Sequence, residues 1–165
     1  MFGKKRNGHL YAPANGRAIP LQEVPDPAFA KGMLGRGVAI EPCGGRFVSP
    51  CNGTVVGVAD TLHAYNLLTD DGLELLLHIG IDTVALGGEG FRAAVKEGDR
   101  IGIGDLLAEV DLELVALRGY STVTPLLIVN PECLAELSPS LGAVTAGSDK
   151  LLRYRIANER KECEL

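Results

Sequence analysis

No stretch of this chain approaches the roughly 18 consecutive apolar residues that suggest a membrane span. The opening, MFGKKR, is basic but is not followed by the apolar run of a secretory signal. Both absences lead to the expectation of a cytoplasmic protein. No basic stripe is available to neutralise phosphates, and a formal charge of −5 argues against nucleic acid as a partner. Cysteine is sparse and unpatterned: Cys43, Cys51, Cys133 and Cys163 form no C-x-x-C pair. In a cytoplasmic chain the expectation is four reduced thiols. A Cys43–Cys51 metal site would lack a second pair of ligands.

What is present fits one domain. The chain has 165 residues, 46 % hydrophobic and 22 % charged, enough to bury a core. Glycine is abundant, with 21 residues, and helix-length periodic runs are few, so short strands joined by tight turns are expected. GRAIPL, GVAIEP, GRFVSP, GTVVGVAD, HAYNLLTD, LELLLHIGI, DRIGIGDLLAEVDL, STVTPLLIVN and KLLRYRIA are each bounded by turn formers. They predict an all-β fold, an antiparallel sandwich or barrel with a few short helices. The helical candidates are DPAFAKGML after Pro27, GFRAAVKEG, DLELVALRGY with Asp111 as N-cap, and PECLAEL opened by Pro131. Residues 1–9 read as a flexible tail, 10–156 as the domain, and 157–165 as a mobile charged tail.

Two of the three histidines lie in HAYNLLTDDGLELLLHIGIDTV, residues 63–84, on either side of TDDG. TDDG between apolar runs is a hairpin signal. If the loop is Asp70–Asp71, His63 stands directly opposite His78. If it is Asp71–Gly72, His78 faces Tyr65 and His63 lies diagonal to it. Side chains alternate with period two, so either two-residue loop puts both imidazoles on one face. Their Cβ atoms would then be about 5 Å apart, or about 7–8 Å on the diagonal. A three-residue loop breaks this parity.

A lone histidine in a strand is ordinarily a structural residue. Two on one face among aliphatics need partners or a purpose, because a buried imidazole without a hydrogen bond is costly. Two chemistries suit the pair. One is zinc, which would need a third ligand from Asp82 or a cysteine. The other is phosphoryl transfer, with one ring as nucleophile and the second steadying the phosphoryl oxygens.

GRFVSPCNGTVVGVAD and EGDRIGIGDLLAEVDL resemble the two halves of a biotinyl or lipoyl carrier domain, but no lysine occupies the intervening turn. A more extensive resemblance rests on LLLHIGIDTVALGGEGF, which is very similar to the active-site signature of the glucose-type IIA component of the bacterial phosphoenolpyruvate-dependent sugar phosphotransferase system. EVPDPAFAKGMLGRGVAI, SPCNGTV, DTLHAYNL, EGDRIGIGDLLAEVDLELV and STVTPLLIVN match segments of that family in the same order, over residues 10–156.

The resemblance implies a compact β-sandwich that takes a phosphoryl group from the histidine phosphocarrier protein HPr and passes it to a cysteine of a IIB domain. It implies that His78 is the phosphorylated residue, His63 the second active-site histidine, and Thr61 the hydroxyl that orients it. It implies that the Gly80 carbonyl fixes the His78 tautomer and that Asp82 is the acidic residue beside the site. Phe29, Met33, Leu34 and Leu76 fall on the implied docking surface. Leu62 stands where the family often has a polar residue, and Ala59 and Leu76 where an aromatic can occur. No cofactor is implied, with adventitious zinc at the His63–His78 pair the exception. Competing readings are a zinc hydrolase of lysostaphin type and a non-catalytic regulator binding through the same apolar face. The hydrolase spacing His-x-His does not occur around His63 or His78, although His78 and Asp82 stand at His-x3-Asp spacing.

Overall fold

A computed structural model describes residues 6–157. The chain begins with β1 (Arg6–Tyr11), β2 (Gly16–Pro20), a one-turn helix α1 (Pro27–Ala30), β3 (Arg36–Pro42) and β4 (Arg46–Val48). The central segment holds β5 (Gly53–Val58), β6 (Ala64–Thr69), β7 (Glu74–His78), β8 (Phe91–Ala93), β9 (Arg100–Ile101) and β10 (Leu106–Val110). Then follow α2 (Leu112–Leu117), β11 (Thr124–Ile128), β12 (Leu134–Pro139), β13 (Gly142–Val144) and β14 (Lys150–Ile156).

The expected all-β fold is what these elements build. An eight-stranded sheet has the order β13-β2-β3-β11-β7-β6-β5-β9, and two three-stranded sheets have the orders β4-β10-β8 and β1-β14-β12. Neighbouring strands run antiparallel. Strand β7 shows why the sequence folds this way. Leu75 and Leu77 point into the main core, while Leu76 and His78 lie half-buried on the other face. There a second, smaller apolar cluster forms from Ile19, Leu21, Phe29, Ile81 and Leu127, with Leu76 packed against it. Strand β11 is buried along its length because both faces are covered.

Both short helices are capped as their sequences indicate. The Asp26 carboxylate accepts from the Ala28 amide at 2.8 Å, and Pro27 opens α1. The Asp111 carboxylate accepts from the Leu114 amide at 3.1 Å.

Several expectations are corrected. GFRAAVKEG is not helical: Phe91–Ala93 form β8, paired with β10, and Phe91 is buried. Strand pairing and burial of the aromatic ring outweigh the helical preference of the alanines. PECLAEL makes a single 3-10 turn, Pro131–Cys133, and then enters β12. Residues 6–9, expected in the amino-terminal tail, belong to β1, where His9 is the partner of Arg153 and Leu10 of Leu152. Ala157 is held through its amide by the Cys133 carbonyl at 2.9 Å. Residues 1–5 and 158–165 of the expected tails lie outside the described residues. Cys43 and Cys51 are free thiols, but the buried Cys133 is disulfide-bonded, so the expectation of four reduced thiols fails there.

The TDDG hairpin is present, yet its loop has three residues. The Thr69 amide donates to the Leu73 carbonyl at 2.9 Å, leaving Asp70, Asp71 and Gly72 as the loop. Gly72 sits at φ 100°, a positive value such a loop requires. The Thr69 hydroxyl stabilises it by donating to Asp71 Oδ1 at 2.6 Å and accepting the Leu73 amide at 2.8 Å. His78 is therefore the register partner of Ala64, not of His63 or Tyr65.

Candidate active site

With that register, simple alternation would place His63 on the face opposite His78. The rings nevertheless meet: their centroids are 4.8 Å apart at an interplanar angle of 81°. The explanation lies in the chain just before β6. Leu62 has φ 62°, a left-handed conformation rare for a leucine. The tight turn around it is closed by the Leu62 amide on the Ala59 carbonyl and the Ala59 amide on the Ala64 carbonyl. His63 thus precedes the strand, and the pleat does not dictate where its ring points. Its carbonyl still accepts from the Ile79 amide at 2.7 Å, which fixes its backbone to the end of β7. The parity argument fails, and the turn brings the imidazoles together instead.

Each ring is held at Nδ1 by a residue two positions away. His78 Nδ1–H donates to the Gly80 carbonyl at 2.7 Å, and His63 Nδ1 lies 2.7 Å from the Thr61 hydroxyl. Gly80 adopts φ +78°, and a Cβ there would come within 2.5 Å of Thr83 Cγ2 and 2.9 Å of the Ser121 carbonyl oxygen. Only glycine fits at this point. The Ile81 amide donates to that same Ser121 carbonyl at 3.0 Å.

The electrostatics keep both rings neutral near pH 7. Burial pushes His63 down to about 4, and the nearby His78 adds to the effect. Burial also lowers His78 below 6.5, opposed by the Gly80 hydrogen bond and by the Asp26 and Asp82 carboxylates. A neutral imidazole whose Nδ1 holds the proton exposes an unprotonated Nε2, the form that can attack an electrophile.

Phe29 is 5 % exposed and meets the His78 ring edge-on at 5.0 Å between centroids. It forms a wall of the site rather than an open contact. Met33 and Leu34, at 71 % and 44 %, are exposed on the segment that follows α1. Leu76 is half-buried on the His78 face of β7, opposite Leu127 in register. Asp82 stands at φ 63° at the start of a 3-10 turn, Thr83–Leu86, in which Val84 is exposed.

Sequence reasoning did not single out Asp26 as a charge acting on His78, nor Val84 as an exposed apolar neighbour of Asp82. It also passed over Thr83, whose only signal is its place as the last letter of HIGIDT. Among the described residues, no group of three histidine, cysteine or acidic side chains is arranged to hold a metal ion. No helix among them is long and apolar enough to cross a membrane.

Comparison with known proteins identifies the family. Residues 8–134 match the family described as phosphoenolpyruvate-dependent sugar phosphotransferase system, EIIA 1. The chain is 45 % identical over 148 residues to the glucose-specific EIIA component of Halalkalibacterium halodurans, covering 89 % of this chain and 86 % of that one. It is 51 % identical over 124 residues to part of the glucose-specific EIICBA component of Staphylococcus saprophyticus, covering 75 % of this chain and 18 % of the longer one. Its fold matches glucose permease IIA from Mycoplasma capricolum with a TM-score of 0.85 at 36 % identity, covering 93 % and 98 % of the two chains. The chain belongs to the EIIA type 1 family of the phosphoenolpyruvate-dependent sugar phosphotransferase system and is a phosphocarrier component of that system.

Proposed function

We propose that His78 Nε2 takes a phosphoryl group from phosphorylated HPr and yields it to a cysteine of a IIB domain. The observation that carries this is the hydrogen bond from His78 Nδ1–H to the Gly80 carbonyl. It reserves the proton for Nδ1 and leaves the Nε2 lone pair available. In acceptance, the donor P–N bond breaks as the Nε2–P bond forms, and Nδ1 keeps its proton throughout. The reverse polarity applies in donation, where the cysteine thiolate attacks phosphorus and Nε2 departs. Neither step needs a cofactor.

His63 serves as the second group. With the Thr61 hydroxyl donating to its Nδ1, its proton sits on Nε2 and can be offered to a phosphoryl oxygen. Its low pKa makes it a neutral donor, and the arriving negative charge strengthens the bond. Asp82 and Asp26 favour the charged form of the His78 ring, which a phosphohistidine resembles on the nitrogen side. Phe29 and the exposed Met33, Leu34 and Val84, with Leu76, supply an apolar surround that excludes water and receives the partners. Catalysis is then mainly positioning and charge stabilisation. The name of the Staphylococcus saprophyticus relative, EIICBA, supports a IIB domain as acceptor. The cytoplasm is the compartment this role implies.

The test is incubation with phosphoenolpyruvate, enzyme I and HPr, followed by intact mass. Gain of one acid-labile phosphoryl group is expected. An unchanged mass in the presence of phosphorylated HPr contradicts the proposal.

A further inference from the structure

The tautomer of His78 depends on where the Gly80 carbonyl points, and a glycine is a poor residue to fix that alone. Its backbone is free on both sides, and rotation of the Gly80–Ile81 peptide would turn the carbonyl away from the ring. Two anchors oppose this. The Ile81 amide donates to the Ser121 carbonyl at 3.0 Å, holding the peptide after Gly80. The Thr83 hydroxyl donates to the Ile79 carbonyl at 2.6 Å, holding the peptide before it. Thr83 is fully buried, so this bond does not compete with water. A threonine is stiff at χ1, and its hydroxyl and methyl are therefore placed together. The methyl is the atom that a Cβ on Gly80 would approach to 2.5 Å, so it lies directly against the Gly80 Cα.

We infer that Thr83 is a positioning residue for phosphoryl transfer: by fixing the Ile79–Gly80 peptide it aims the Gly80 carbonyl at His78 Nδ1 and so sets the reactive tautomer. The catalytic consequence rests on the reading of His78 as the nucleophile; the geometric claim does not. Of the two anchors, Thr83 is the one a substitution can remove, since the other is backbone to backbone. A role confined to stabilising the 3-10 turn would lower the melting temperature without moving the proton on His78, and this separates the two accounts.

The experiment compares Thr83→Val, which keeps the shape and loses the hydroxyl, with Thr83→Ser, which keeps the hydroxyl. Imidazole nitrogen NMR above pH 7 reads the His78 tautomer, and single-turnover labelling from phosphorylated HPr reads the rate. In Thr83→Val the Nδ1–H fraction of His78 should fall, and labelling should slow roughly two- to tenfold, as expected for one hydrogen bond. Thr83→Ser should restore both. If Thr83→Val does not fold, Thr83→Ala removes the same hydroxyl with less crowding and is read in the same way. A folded variant without the hydroxyl that retains the wild-type His78 tautomer overturns the inference. So does a Thr83→Ser variant as impaired as Thr83→Val. Labelling of His78→Gln would refute the choice of nucleophile while leaving the tautomer result for Thr83 intact, so the two failures are distinguishable.

Discussion

The imidazoles of His63 and His78 meet edge to face, 4.8 Å between centroids, although the register partner of His78 is Ala64. What joins them is the backbone bond from the Ile79 amide to the His63 carbonyl, together with the left-handed turn at Leu62. Each ring then takes a local partner at Nδ1, Gly80 for one and Thr61 for the other. The two histidines are equivalent in neither partner nor electrostatics, and unequal roles follow.

Thr61→Val tests the partner of His63. The change removes the hydroxyl beside His63 Nδ1 but leaves the His78 environment in place. Acceptance from phosphorylated HPr should persist. Onward transfer should slow by roughly two- to tenfold, the effect of one hydrogen bond. A single-turnover chase with a IIB domain reads this, and nitrogen spectra should show the His63 proton redistributed between its two nitrogens.

The histidines also make stability depend on pH. Both have folded-state pKa values below the ordinary 6.5, His63 at about 4. As pH falls, the unfolded chain binds protons before the folded one, so their contribution is complete above about 6.5. It declines as pH drops toward about 4. Urea unfolding across that window should show stability decreasing with acidity, with a shallower slope in His63→Gln. An NMR titration should place His63 well below the ordinary 6.5. A His63 midpoint near 6.5 would contradict the buried, charge-opposed setting described for it.

Much of the fold was legible because burial on one face imposes period-two alternation. LELLLHIGI carries that alternation, whereas STVTPLLIVN, buried along Thr124–Ile128, reads as a strand from a short apolar run bounded by turn formers. GFRAAVKEG was misread because its pairing with β10 is a long-range contact that local propensity cannot report. The site was legible from the HIGIDT segment and from TLHA, through their likeness to a family. The path from pattern to contact was not. It assumed a two-residue loop, and the third loop residue, Gly72, reverses the face. The left-handed Leu62 restores the contact, and nothing in the composition of that turn announces it. Thr83 was hidden for a similar reason, since its bond to Ile79 exists only once the chain has turned at Gly80.

Gly80→Ala probes that turn directly. The residue sits at φ +78°, with Thr83 Cγ2 and the Ser121 carbonyl filling the place of a Cβ. Backbone strain alone should cost roughly 1–3 kcal/mol, and the crowding adds to it. Chemical denaturation should show the loss. Because the Gly80 carbonyl would be displaced, phosphoryl acceptance should fall as well. A variant with unchanged stability would show that the turn is more adaptable than its contacts indicate.

The most direct test of the division of labour is intact mass of His78→Gln and His63→Gln after exposure to phosphorylated HPr, followed by a chase with the IIB domain. His78→Gln should gain no phosphoryl group, because the nucleophile is gone. His63→Gln should be labelled, yet pass the group onward on the order of a hundred- to a thousand-fold more slowly, the usual loss for one transition-state donor. If His78→Gln is labelled and His63→Gln is not, the two roles are reversed and the account fails.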